Sequence, residues 1–563
     1  MAESSKTPVE GVDPKFLKPY DAEAVESLIY KRWEDSGYFN PDNLPGDRTE
    51  PFTIVLPPPN VTGTLHMGSA LMLAIEDILV RYARMQGKRA LWIPGTDSAA
   101  IATQARVEKD IQKAEKKSRH DLGREELLRR IDVFVENNKN TMIGQMRAMG
   151  ASLDWSRYAY TMDDSRYNAV MVAFIRMYEA GLIYRGNRIV NWDPKGQTTI
   201  SDDEIVHEER DAVLYTFKYS KEFPISISTT RPETKVGDTA VAVHPADERY
   251  QSFIGKEYEV VFCDVPIHIK IIADQSVEKD FGTGALGVTP AHSHVDWEIA
   301  DRHDLPRPQV INEYAKMVVD GRLKDKKVLE ARALVVEWLK EQNLLEKEDA
   351  VKQNISTAER TGGIVEPLPK LQWWIDVDKK FIIPHSEITG IRSGGETSLK
   401  EITKKAVEGG DVSFVTERYE RVYFNWIENL RPWCISRQIW FGHRIPVWYK
   451  GDEMKVQVDS PGTEWEQDPD VLDTWFSSAL WTFTTLGWPN ETNDLKRFHP
   501  TDVLETGYDI IFFWVARMIL MSGFFLGTVP FKKVYLHGLV RDGQGRKISK
   551  SLGNNIDPVD MAK

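Results

Sequence analysis

The stretch TIVLPPPNVTGTLHMGSALMLAIEDILVRY, residues 53–82, constrains the fold more than any other part of the chain. Ile54, Val55 and Leu56 form the short apolar run of a buried strand, three prolines from Pro57 to Pro59 stop it, and Gly63 permits a tight turn. Leu71, Ile75, Ile78 and Tyr82 then recur at the spacing of an amphipathic helix, so the stretch reads as strand, loop, helix. In an open parallel sheet the loop beyond a strand's carboxyl end faces the ligand crevice. The helix that follows presents unpaired N–H groups and the positive end of its dipole, where phosphate belongs. His66 and Ser69 stand one turn apart at that end, within reach of phosphate oxygens.

Length and composition bound the rest. At 563 residues the chain exceeds a single core and suggests about four domain-sized units. No apolar run reaches the ~20 residues that span a bilayer, so no membrane segment is expected. The opening MAESSKTPVEGVDPKF lacks the apolar core of a secretory signal. Two cysteines, Cys263 and Cys434, make neither a disulfide framework nor a four-thiolate zinc site, which points to a cytoplasmic protein without structural zinc. A net charge of −13 argues against indiscriminate nucleic-acid binding while leaving room for a local basic face. The charged stretch at residues 105–130 reads as a solvated helical face.

A second informative stretch lies far downstream. VYLHGLVRDGQGRKISKSLGNNIDP pairs a strand-like run, residues 534–536, with a glycine-rich loop carrying Lys547, Ser549, Lys550 and Ser551. Two lysines three apart on a mobile loop can close on a polyphosphate and neutralise charge as it develops.

HMGS resembles the HIGH signature, and KISKS the KMSKS signature, of the class I aminoacyl-tRNA synthetases, which activate an amino acid with ATP and esterify it to tRNA. The resemblance runs through PPPNVTG, GTDSAAIATQ, TTRPET, GTGALGVTPAHSHVDWEIADRH, WCISRQIWFGHRIPVWY, DTWFSSALW and TGYDIIFFW, and is to the valine-specific members, with the isoleucine and leucine members as near relatives. It implies an α/β fold: a Rossmann-type parallel-sheet catalytic domain split by an inserted β-rich editing domain. The implied divisions are an N-terminal segment with the first catalytic half (1–190), the insertion with its connections (191–360), a connective segment (361–425), the second catalytic half (426–535) and the lysine-loop region (536–563).

The resemblance also implies roles. His66 and Ser69 would meet the phosphates of ATP with Gly68 beside them, and Lys547 and Lys550 would close over the leaving pyrophosphate. Gly507 and Asp509 match the ribose contact, and His537 and Gly538 would flank the adenine. Asp97 matches the residue that holds the substrate ammonium, facing the loop of Pro57, Pro58 and Asn60, with Trp475, Ile510 and Trp514 as apolar walls; Ile510 and Trp514 are read as i and i+4 on one helix face. Such walls exclude isoleucine but reject threonine by only about a hundredfold, so a second, hydrolytic site is needed. Thr229, Thr230, Arg231, Thr234 and Asp296 are its implied residues. ATP with Mg²⁺, valine and valine tRNA are the implied ligands.

Four residues depart from the family pattern: Ser69 and Ser98 stand where histidine is usual, Gly287 where many valine-specific members carry lysine, and Ser293 where aspartate is frequent. The chain stops just after the lysine loop, so the anticodon-binding domain expected of the family falls outside it, leaving a fragment or a separate chain that supplies that domain. Three alternatives stay open: a degenerate synthetase that only binds RNA or a partner, a relative charging isoleucine, and a nucleotidyl transferase of the same superfamily, against which the insertion speaks.

Overall fold

The computed structural model describes Asp13, residues 19–548 and residues 554–562. Five parallel strands form its central sheet, in the order Ser413–Phe414, Phe531–His537, Thr501–Gly507, Pro51–Val55, Arg89–Ile93. Ile54, Val55, Leu91, Trp92 and Ile93 are all buried, as strands covered on both faces require. From Pro51–Val55 the chain steps outward to Arg89–Ile93, and from Thr501–Gly507 it steps the other way to Phe531–His537. The order therefore reverses between the two central strands, and such a switch point opens a crevice at their carboxyl ends. The HMGS loop and the TGYD turn both leave the sheet there. The edge strand Ser413–Phe414 falls within the residues the sequence reads as connective, because two residues are too short a run to register as a strand.

The helix expected after the first strand is present at Met67–Met85, but it presents a different face to the core. Its buried positions are Ser69, Met72, Leu73, Glu76, Val80 and Ala83, whereas Leu71, Ile78 and Tyr82 are exposed. A buried hydrogen bond overrides the apolar stripe, since Glu76 accepts from the Trp92 indole N–H at 2.7 Å.

The TGYDI segment also differs from expectation. It forms a 3₁₀ turn at Tyr508–Ile510, a π-helical turn at Ile511–Ala516 and only then an α-helix, Arg517–Leu526. Ile510 and Trp514 thus do not share a regular α-helical face. The wider turn directs the Trp514 indole N–H to the carbonyl of Ser478 at 2.9 Å, a distortion of the kind that gathers at functional sites. Residues 508–526 are long and apolar enough to cross a bilayer, with a mean hydropathy of 1.8, but most of them are buried. Ile511, Trp514, Val515, Met518 and Ile519 pack in the core beside strand residues Val55, Leu91 and Val534.

Between the halves of the sheet the chain builds a β-rich insertion. A long antiparallel pair, Ile205–Phe217 with Leu345–Ala358, carries it out and back. At the far end sits a four-stranded sheet in the order Glu257–Phe262, Val265–Ala273, Ala240–Val243, Ala285–Val288. This region has its own core, in which Phe217, Tyr219, Phe262, Ile269 and Leu339 are fully buried.

Candidate functional sites

At the crevice, His66 is the N-cap of Met67–Met85. Its Nδ1 accepts the backbone N–H of Ser69 at 3.1 Å, so a neutral ring carries its proton on Nε2. Gly68 leaves room for it: a Cβ there would stand 3.0 Å from both Cε1 and Nδ1 of the ring. Ser69 is buried, with Oγ 3.4 Å from the same Nδ1. The pair lies at the helix end, where an anion is stabilised by the dipole.

Asp97 is 5% exposed and is held entirely by neutral donors. Oδ1 accepts from the Ala99 N–H at 3.0 Å, from Thr161 Oγ1 at 3.0 Å and from Ser98 Oγ at 3.5 Å. Oδ2 accepts from Ser478 Oγ at 2.9 Å. Burial pushes the carboxyl up from its ordinary value, and the Ala99 N–H with the three hydroxyls pulls it back. Ala99, whose N–H reaches Asp97, adopts φ 49°, unusual for a residue with a Cβ.

The proline loop runs alongside: Asp97 N–H donates to Pro59 O and Val61 N–H to Asp97 O, both at 3.0 Å, with Asn60 and Asp97 bridged between. Pro57 is buried and Pro58 half-buried on that loop. Half-buried Trp475 stacks on Phe513 with ring centroids 6.0 Å apart, and Trp514 reaches the same segment through Ser478. The structure thus gathers Asp97, the proline loop, Trp475 and Trp514. It adds Thr161, Ser478 and Phe513, of which Ser478 and Phe513 lie in quoted motifs, whereas nothing in the sequence marks Thr161.

On the far side of the switch point, Asp509 is exposed and accepts from Lys547 Nζ at 2.5 Å. A Cβ on Gly507 would stand 2.6 Å from Asp509 Oδ1, so glycine leaves room for that carboxylate. Residues 540–548 fold as a hairpin, with Ile548 N–H on Val540 O at 3.1 Å, and Asn554 Nδ2 donates to Lys547 O at 3.2 Å. Lys550, with Ser549 and Ser551, lies outside the described residues. His537 Nδ1 is 2.5 Å from Glu505 Oε1, while Gly538 is exposed. Among the described residues no group of three or more His, Cys, Asp or Glu side chains is arranged to hold a metal ion.

In the insertion, Thr229 Oγ1 accepts from Arg231 N–H at 3.0 Å and Thr234 Oγ1 donates to Arg231 O at 3.0 Å. Arg231 reaches Glu366 Oε1 at 2.7 Å, and Thr230 is half-buried beside it. Asp296, 5% exposed, accepts the Thr289 N–H at 2.7 Å. Burial pushes its carboxyl up, and Lys235 with the Thr289 N–H pulls it back. Ser293 caps the helix His294–His303 by accepting from Asp296 N–H, a task serine and aspartate do about equally well. Between Thr234 and Asp296 lies a group absent from the sequence reading: Lys235, Asp238, Tyr219 and Thr289, all buried.

The family model for class I tRNA synthetases (I, L, M and V) matches residues 28–465 and 452–563. The chain belongs to this family. It is 47% identical over 558 residues to a valine–tRNA ligase of Carboxydothermus hydrogenoformans, covering 96% of this chain and 60% of that protein. A valine–tRNA ligase of Clostridium acetobutylicum is 46% identical over 560 residues, covering 97% and 61%. The chain thus spans about 60% of the length of these relatives. The LeuRS–tRNA–LeuAMS ternary complex from Agrobacterium radiobacter K84 superposes with a TM-score of 0.51 at 18% identity, over 97% of this chain and 71% of that one, and shares the class I synthetase fold.

Proposed function

We propose that this chain activates valine with ATP, passes the valyl group to valine tRNA, and hydrolyses tRNA mischarged with threonine in its insertion. The observation that carries the activation half is Asp97: a buried carboxylate held by neutral donors, whose charge an α-ammonium would balance. The valine-specific motifs and relatives support valine as its owner.

In the first step a valine carboxylate oxygen attacks the α-phosphorus of ATP, the bond to the bridging oxygen breaks, and pyrophosphate leaves with its charge. No protein nucleophile takes part. His66 offers Nε2–H to the phosphates from the helix end, Lys547 neutralises the departing pyrophosphate together with Lys550, and Mg²⁺ arrives on the nucleotide as part of the substrate. Gly507 and Asp509 take the ribose, and His537 and Gly538 the adenine. A terminal hydroxyl of the tRNA then attacks the adenylate carbonyl and AMP leaves. In the insertion, water attacks the ester carbonyl of threonyl-tRNA, the ester bond breaks, and the proton ends on the tRNA hydroxyl. Asp296 grips the ammonium while the threonines of TTRPET line the approach.

Valine-dependent exchange of label between pyrophosphate and ATP tests the reading. Exchange driven equally well by isoleucine would assign the chain to the other branch, and no exchange with any amino acid would leave a module that only binds.

A further inference from the structure

Lys235 is 5% exposed and its ammonium is enclosed by acceptors. It donates to the carbonyl of Gly287 at 2.6 Å, to Thr289 Oγ1 at 2.8 Å and to Asp238 Oδ1 at 3.3 Å. An ammonium has three protons, and each has a partner here. Thr289 Oγ1 in turn donates to Asp238, Tyr219 OH donates to the other oxygen of Asp238, and the backbone N–H of Thr289 holds Asp296. One buried cation therefore ties three elements together: the turn Pro232–Gly237, the strand Ala285–Val288 and, through Thr289, the first turn of His294–His303.

Gly287 completes the arrangement. A Cβ at that position would meet Asp238 Oδ2, would stand 2.5 Å from Tyr219 OH and would press on Ile227 Cδ1 at 2.9 Å. No side chain of its own fits at 287, and the ammonium beside its carbonyl comes instead from Lys235, 52 residues earlier in the chain.

We infer that Lys235 is the positioning residue of the hydrolytic site, the cation that fixes Thr289 and hence the Asp296 clamp, delivered here from the turn after TTRPET. The inference rests on the editing reading given above. Asp238 makes the device work: two carboxylates around one ammonium leave a single negative charge, so the site keeps its attraction for the ammonium of a mischarged residue. Burial pushes the Asp238 carboxyl up to about 6, with Lys235, Thr289 and Tyr219 opposing and Asp296 adding to the rise, and the ammonium on Oδ1 favours its ionised form.

The test is single-turnover hydrolysis of threonine-charged valine tRNA by the full chain, with enzyme in excess over a range of concentrations. Lys235→Met keeps the length of the side chain and removes the charge. The limiting rate should fall about 10²-fold, the cost of misplacing a clamp by ~1 Å, while the half-saturating enzyme concentration stays within twofold. In Lys235→Ala, methylammonium should restore at least a tenth of the lost rate, and tetramethylammonium, which has charge but no N–H, should not. Valine-dependent exchange in the same preparations reports that the other half of the chain is folded. Wild-type hydrolysis unchanged by Lys235→Met would overturn the inference alone, as would a loss in Lys235→Ala that methylammonium does not relieve. A wild-type chain that hydrolyses no faster than the free ester would remove the editing reading and this role with it.

Discussion

Asp97 and Asp296 are two buried carboxylates 5% exposed, each the proposed clamp for an α-ammonium, yet their surroundings differ. Asp97 is held by one backbone N–H and three hydroxyls, all neutral. Asp296 sits in the field of Lys235, itself balanced by Asp238. Both arrangements end with one negative charge facing the ligand. The first reaches it with dipoles alone and leaves the substrate as the only cation. The second reaches it with a fixed ion cluster that also holds the backbone of the site in place. On the proposed roles, activation would depend on a carboxylate held by dipoles, and hydrolysis on one embedded in an ion network.

The largest expected effect lies on the first. Asp97→Ala should lower valine-dependent pyrophosphate exchange about 10³-fold, since losing one member of a buried charge pair costs ~4 kcal/mol. Retention of a tenth of the wild-type rate would refute a single-charge clamp. Asp296→Ala should cost less, about 10² in the single-turnover hydrolysis of threonyl-tRNA, because the network of Lys235, Thr289 and Asp238 still holds the backbone of the site in place. If the two losses proved equal in size, the contrast between lone and networked carboxylates would fail.

A third effect tests the helix end. Gly68→Ala sets a methyl 3.0 Å from the His66 ring, which must tilt away from the Ser69 N–H it caps. Exchange should drop roughly tenfold and thermal stability by ~1 kcal/mol, the usual worth of an N-cap, with hydrolysis in the insertion unmoved. A last effect is in acid and lies outside both carboxylate clamps. His292 in the insertion and His443 beside Thr161 are kept neutral by burial, their rings lowered to about 3 and about 4. The unfolded chain therefore binds protons that the folded chain refuses below about pH 6.5. Stability from these rings is full above that value and is lost as pH falls towards 4 for His443 and 3 for His292. Urea unfolding monitored from pH 7 to 4 should show this slope, and His292→Asn and His443→Asn should each flatten it.

Much of this was legible in the residues, and the failures share a cause. Strand, proline loop and helix at 53–82 are where spacing puts them, and the split parallel sheet follows from motifs lying in two distant segments. The helix face was misread because apolar periodicity assumes an apolar interior, whereas Ser69 and Glu76 point inward and Ile78 and Tyr82 outward. The Ile510–Trp514 pair was misjudged because a π turn leaves no trace in a one-dimensional pattern. Nothing in the sequence marks Lys235, because Gly287 and Thr289, two of its partners, lie far from it along the chain. Only the fold shows Gly287 O, Thr289 and Asp238 converging on its ammonium. Likewise, Ser293 replaces aspartate without losing the helix cap, an equivalence visible once Asp296 N–H is seen to donate to it.

On the proposed roles, the ion pair between Lys547 and Asp509 would impose an order of events. One carboxylate is then claimed twice, by the sugar of the nucleotide and by the cation of the closing loop, and the two compete wherever the sugar takes the oxygen that holds Lys547. A ribose that docks on Asp509 evicts Lys547 and sends it toward the polyphosphate, so the arrival of the sugar becomes the trigger for closure. A polyphosphate without a nucleoside would find the lysine still tethered. On those roles the contact would be an interlock, withholding Lys547 from phosphate until the nucleoside end of ATP has docked.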